Sequence, residues 1–318
     1  MAGERAHLAA GRSGPGVRTE AVPSTAFSFS SSDGLPVTCH RWEGRGRVRG
    51  VVQIAHGMGE HIGRYHEAIA ALTGAGLTVY GSDHRGHGRT APTPAHLGDF
   101  GEGGFELLVA DMARLSLIAR DENPDLPLIL LGHSMGSFAA QCYVLDHSQE
   151  IAGLALSGSG ALDGLARLAH AASPGTNILN APFEPARTTC DWLSRDPAIV
   201  DAFINDPLCF AELQPAAFAS FLAAAPRLAD PVALARIRLD LPVYLFSGSE
   251  DPVGQRLAGV ELLMERYRAA GLYNLCHDFY LGGRHEMLNE INRDQVQARL
   301  LDWISSVLET QKPGLWSL

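Results

Sequence analysis

Eight short runs of apolar and β-branched residues punctuate this chain, at 26–31, 36–42, 51–55, 77–81, 128–131, 151–156, 243–247 and 276–281. Each has the length of a strand and ends in glycine- or proline-rich punctuation. From the third run onward they alternate with segments of helical period. One helix is predicted over 65–73, with Gly74 as its stop, and another over 105–120, where Phe105, Leu108, Met112, Leu115 and Ile118 share a face. A third over 257–270 ends at Gly271, and a fourth covers 296–308. Two antiparallel-looking strands followed by repeated β–α units predict a twisted, mostly parallel sheet of eight strands with helices on both faces.

The rhythm breaks between Ser159 and Leu239. This stretch is rich in alanine and proline, carries no convincing strand, and suits short helices at 162–171 and 216–225. An insertion this long after the sixth strand is usually functional. The expected organisation is a flexible N-terminal arm over 1–25, a core formed by 26–158 and 240–318, and a helical cap over 159–239. A separate small domain is the alternative reading of the insertion.

The fifth run, from Leu128, leads straight into Gly132-His133-Ser134-Met135-Gly136. A strand followed by G-x-S-x-G and a helix (135–145) lifts a serine hydroxyl on a sharp turn, and the flanking glycines let strand and helix approach closely. The pentapeptide alone is weak evidence; its strand–turn–helix setting strengthens it. A serine hydroxyl needs a base, and the base needs an orienting acid. In such a sheet the chain order is Ser, Asp or Glu, then His. Asp251 follows the seventh strand and His285 the eighth, both at carboxyl ends where ligands of open α/β sheets sit. Glu250 competes with Asp251, but Pro252 stiffens the chain directly after the latter; Asp278 falls inside a strand and reads as structural. Most of the 13 histidines read as surface or structural, and His56, His87 and His133, in glycine-rich turns, read as backbone-bonding. Two N–H donors for an oxyanion are expected from Met135, after the nucleophile, and from Met58 in the first β–α turn.

Composition narrows the function classes. A formal charge of −10 over 318 residues, with Lys312 as the sole lysine and no basic stripe, argues against nucleic acid. Five scattered cysteines without a CxxC suit free thiols in a reducing compartment, so the cytoplasm is the expected location. The first 22 residues lack the apolar stretch of a signal peptide, and no run reaches membrane-spanning length. No G-x-G-x-x-G or P-loop accompanies the His56–Gly59 turn, so no nucleotide cofactor is expected. The cluster Asp83, His84 and His87 reads as a turn, and no metal is expected.

The segments 56–65, 83–89, 132–136, 248–253 and 283–290 together resemble the α/β-hydrolase superfamily, in its monoacylglycerol lipase and lysophospholipase-like, serine aminopeptidase S33-type branch. Within the insertion, 194–197 and 205–208 look like the same branch. This resemblance spans about 26–308 and implies a Ser134–Asp251–His285 triad, a cap over an acyl tunnel, and no cofactor. It further implies that Glu60 and Arg64, with His133, line the alcohol end of the pocket. The chain departs from the mammalian-type lipases at Met58, where they have alanine, and at Leu288, where they have histidine. The leading reading is a serine hydrolase of single-chain acyl esters, monoacylglycerol or lysophospholipid. Its partners are then a small lipid ester and, transiently, a membrane surface touched through the cap. A broad carboxylesterase, thioesterase, acyltransferase or amidase keeps the same acyl-enzyme. A non-catalytic ligand-binding protein of this fold is the further alternative.

Overall fold

The computed structural model describes residues 22–173 and 176–310. The expected arm therefore lies, up to residue 21, outside the described residues. The sheet has eight strands: β1 (Thr25–Ser30), β2 (Pro36–Trp42), β3 (Gly50–Ala55), β4 (Leu77–Ser82), β5 (Leu128–His133), β6 (Gly153–Ser157), β7 (Val243–Gly248) and β8 (Leu275–Tyr280). Their spatial order is β1-β2-β4-β3-β5-β6-β7-β8. β1 and β2 pair antiparallel, as do β2 and β4; every later pairing is parallel. Every residue of β3 to β7 is buried, which explains why these strands read as continuous apolar runs instead of alternating ones.

Helices cover both faces. On one, α2 (Gly104–Glu122), α3 (Met135–His147) and α9 (Ala258–Ala269) bury Leu108, Met112, Leu115, Phe138, Val260 and Leu263 against the sheet. On the other, α1 (His66–Gly74) and α10 (Arg293–Thr310) bury Ile69, Leu72, Trp303 and Ile304. The expected stop of α1 is corrected by two residues. Gly74 still belongs to the helix, and the left-handed turn is made by Gly76 at φ +76°. A Cβ there would stand 2.7 Å from the Arg47 carbonyl oxygen, so the position is closed to other residues on two counts.

Between β6 and β7 the described residues are helical: α4 (Leu162–Ala171), α5 (Pro197–Asn205), α6 (Pro215–Leu222), α7 (Ala225–Ala229) and α8 (Pro231–Leu234). The helix expected over 216–225 is broken after Leu222. Pro226 lacks an N–H and cannot sit in a helix interior, so it opens α7 instead. α5 and α8 start the same way: the carboxylates of Asp196 and Asp230 accept N–H groups at Ala198 and Val232, each with proline at the first helical position. No helix among the described residues is long and apolar enough to cross a membrane.

Candidate active site

Loops at the carboxyl ends of β5 and β8 bring Ser134 and His285 to one cavity, and the loop after β7 places Asp251, fully buried, against His285. Ser134 joins β5 to α3 with φ 51° and ψ −123°, a strained conformation for a residue with a side chain. The turn is held because its neighbours have no Cβ. One on Gly132 would stand 2.6 Å from the Gly136 carbonyl oxygen, and one on Gly136 would stand 2.2 Å from that of Ala55. Hydrogen bonds from Ser134 N–H to the Ser157 carbonyl (2.9 Å) and from Ser137 Oγ to the Ser134 carbonyl (2.6 Å) fix the elbow on both sides.

Asp251 and His285 are buried and bonded to each other, Oδ1 to Nδ1, at 2.9 Å. A carboxylate only accepts, so His285 carries its proton on Nδ1 and leaves the Nε2 lone pair free. Val253 N–H donates to the same Oδ1 and aims the carboxylate. Glu250 turns away, toward Arg256 at 3.4 Å on the surface. Asp278 lies on β8 and bonds Tyr244 and Arg299, a structural use. Burial works against a charge on His285, but Asp251 facing it, with Glu286 and Glu60 nearby, outweighs burial and raises its pKa above the ordinary histidine value. Among the described residues no hydrogen bond joins Ser134 Oγ to His285; both line the same cavity.

Gly57 brings the β3 turn against the elbow, where its Cβ position is 3.1 Å from that of Ser134. Met58 follows directly and lines the cavity with Met135, the first residue of α3. Glu60 and Arg64 also line it, but in a role the sequence did not suggest. The Glu60 carboxylate accepts from Gly57 N–H (2.6 Å), Tyr65 hydroxyl (2.6 Å) and Arg64 (2.9 Å). Burial opposes its ionisation, yet the adjacent Arg64 guanidinium and these partners hold its pKa down to about 2. Arg64 in turn makes a paired contact with both oxygens of Glu286, at 2.6 and 2.8 Å, beneath the Phe203 ring. His133 is buried with its ring 4.7 Å from that of His285 and its Nδ1 3.2 Å from Ser157 Oγ.

The histidines of the β3 and β4 turns serve the backbone. His56 Nε2 accepts from His84 N–H, while its Nδ1 donates to the Gly57 carbonyl. Burial keeps His87 neutral, with a pKa held down to about 3. Asp83 receives N–H groups from Ile62 and Arg89 and organises the turn. A potential metal-ligand group does occur elsewhere: His61, Asp206 and Cys209 offer ligand atoms within 4.8 Å of one another. However, His61 Nδ1 accepts from Gly63 N–H and its Nε2 donates to Asp206 at 2.9 Å. Both ring nitrogens are spent on hydrogen bonds, and the pair ties the inserted segment to the core.

Two functional candidates escaped the sequence. Trp192 packs its ring against His285, centroids 4.8 Å apart and planes tilted by 40°, and accepts the His285 backbone N–H through its carbonyl oxygen. Glu286 is the other. The cavity they help enclose measures about 550 Å³, and Phe138, Leu165, Leu179, Phe210, Phe218 and Phe221 give it an apolar far end. Of the helical faces expected to cover the serine, Leu165, Phe218 and Phe221 line the cavity. Leu162 packs into the core, Leu222 packs against that core half-buried, and Leu168 is exposed.

An eight-stranded sheet of this order, with a serine elbow after β5 and an Asp–His pair after β7 and β8, defines an α/β-hydrolase. The profile of the serine aminopeptidase S33 family matches residues 46–292, and the chain belongs to that family. It is 33% identical over 283 residues to a monoacylglycerol lipase of Mycolicibacterium smegmatis, covering 88% of this chain and 97% of the relative. A monoglyceride lipase of Mus musculus is 29% identical, over 82% and 87% of the two chains. Among solved structures, a thermostable carboxyl esterase from Bacillus coagulans in complex with glycerol superimposes with a TM-score of 0.81 at 30% identity, covering 90% and 99%.

Proposed function

We propose that this protein is a serine hydrolase that cleaves single-chain acyl esters, monoacylglycerols first among them, with 159–239 acting as the cap that receives the acyl chain. Ser134 Oγ attacks the ester carbonyl carbon while His285 Nε2 takes the hydroxyl proton. The N–H groups of Met58 and Met135 stabilise the resulting oxyanion. The intermediate collapses with cleavage of the carbon–oxygen ester bond, and the leaving alkoxide receives the proton from His285. A water then loses a proton to His285 and attacks the acyl-enzyme, releasing the fatty acid and restoring Ser134. Asp251 holds the imidazole tautomer throughout.

The observation that carries this reading is a carboxylate-oriented imidazole and a strained serine on the wall of one largely apolar cavity. The names of the relatives support the ester class. The test is fluorophosphonate labelling combined with turnover of monodecanoylglycerol. Wild type is expected to be labelled at Ser134 and to turn over the ester. Ser134→Ala is expected to lose both while keeping its melting temperature; a variant within about tenfold of wild-type turnover would remove the nucleophile assignment.

A further inference from the structure

The cavity's polar end is charged in one direction. Among the described residues that line the cavity are three carboxyl side chains, Glu60 and Glu286 beside Arg64 and an exposed Glu212, and one guanidinium, Arg64. Arg64 is the group that would attract an anionic headgroup, and its single charge is already faced by two carboxylates. One terminal nitrogen bonds both Glu60 (2.9 Å) and Glu286 (2.6 Å), the other bonds Glu286 (2.8 Å), and the Phe203 ring covers its face at 5.0 Å. Asn289 fastens Glu286 from behind at 3.0 Å, so the carboxylate cannot swing aside without losing that bond as well.

We propose that Glu286, by pairing its charge with that of Arg64 beside the reacting serine, makes the polar end of this cavity a charge filter. It accepts esters whose leaving alcohol is neutral and turns away those whose headgroup is anionic. An incoming phosphate would meet carboxylate oxygens with no unpaired cation to offset them, in a site largely withdrawn from water where like charges repel strongly. A neutral polyol instead donates its hydroxyl protons to the same oxygens, whose remaining lone pairs are free to accept. The filter has a second effect. Hydrolysis leaves a fatty carboxylate in a cavity already rich in carboxylates, which favours its departure. This inference rests on the acyl-ester reading above and narrows it to a substrate class.

The test compares three decanoyl esters, all below their micelle-forming concentrations: monodecanoylglycerol, the same ester carrying a phosphate on the glycerol, and p-nitrophenyl decanoate. Wild type is expected to favour the neutral glyceryl ester over the phosphate ester by about 100-fold in kcat/KM. Glu286→Gln is expected to narrow that ratio at least about tenfold, because it releases Arg64 from one charge. The ratio cancels any general loss from altering a residue next to His285. Should the variant misfold, inhibition of wild type gives the second measurement: the non-hydrolysable 1-decylglycerol ether is expected to compete and decyl phosphate is not. Equal wild-type rates on the two glyceryl esters, or an unchanged ratio in a folded Glu286→Gln, would overturn the filter. If p-nitrophenyl decanoate is still cleaved in a Ser134-dependent way, the hydrolase reading survives that result. Absence of turnover on all three esters would overturn both.

Discussion

The imidazoles of His133 and His285 lie 4.7 Å apart, and only His285 bonds a carboxylate, that of Asp251 at 2.9 Å. Burial disfavours a charge on either ring. On His285 the Asp251 carboxylate reverses that effect; on His133 nothing does, and the neighbouring His285 depresses it further, to about 4. Two neighbouring rings are thereby sorted into one that holds a proton more readily than an ordinary histidine and one that stays neutral. The proton exchanged with Ser134 has a single destination.

Activity follows the neutral form of His285, so it is present above that residue's pKa and lost as pH falls through it. Because the pKa is raised, the acid limb of kcat/KM is expected to have its midpoint above about 6.5. Glu286 is one of the carboxylates that raise it. In Glu286→Gln the midpoint is expected to move to lower pH, and a pH–rate profile with an unmoved midpoint would contradict the assignment.

Asp251→Asn exchanges an acceptor for an amide that can donate to Nδ1, which stabilises the wrong tautomer. A drop in kcat of about 10⁴-fold is expected, by analogy with other triads. Glu250→Gln, one residue away and on the surface, is expected to leave kcat unaltered. Steady-state kinetics of the pair separates them; similar losses in both would place the orienting acid elsewhere.

Much of this was legible in the sequence, for identifiable reasons. The five strands from β3 to β7 are buried on both faces, so they had to be apolar runs, and Asp251 and His285 do follow β7 and β8. Helices α5 and α8 were missed although both announce themselves by Asp-Pro, a cap followed by a residue suited to the first helical position. Glu286 gave no such signal. Its partner Arg64 lies 222 residues away, and a contact of that separation exists only after folding. Glu60 lines the cavity as expected and in addition accepts the Gly57 N–H, a contact only three residues long that no motif in the sequence announces.

Arg85 is 1% exposed and bonds Ser31, Asp33, Asp111 and the Phe100 carbonyl, joining the β1–β2 hairpin to α2. Arg85→Ala leaves Asp111 buried and unpaired, and is expected to lower stability by about 3–5 kcal/mol. Urea unfolding measures this, and Asp111→Asn added to the first change is expected to recover part of the loss. Strict additivity of the two losses would speak against a coupled pair.

Each methylene buried in the acyl cavity is worth at most about 0.8 kcal/mol, or close to fourfold in kcat/KM. Rates on glycerol monoesters are therefore expected to climb from acetyl to decanoyl. Phe218→Ala is expected to flatten the climb, and diacylglycerols are expected to react poorly. Acetate esters outperforming decanoate esters in the same panel would point to the general esterase alternative.

Gly59 has φ +71°, and a Cβ on it would stand 2.0 Å from the Phe210 carbonyl oxygen. Gly59→Ala is expected to separate the inserted segment from the Met58 turn, with loss of kcat exceeding loss of global stability. Limited proteolysis within 197–214, faster in the variant than in wild type, checks the mechanism.

The inserted segment is bonded to both sides of the site at once. Phe210 N–H reaches the Gly59 carbonyl, while the carbonyls of Trp192 and Leu193 receive the N–H groups of His285 and Glu286. Residues 192, 193 and 210 thus brace the turns that carry His285 and Met58, whereas α4 meets the cavity through Leu165 and Ala169. A chimera that exchanges the whole of 159–239 with a relative's would carry off the supports of the base and of the oxyanion turn. One that exchanges only 162–173 would alter what enters the cavity and leave its machinery standing. For recombination, the boundary that matters runs through the inserted segment itself.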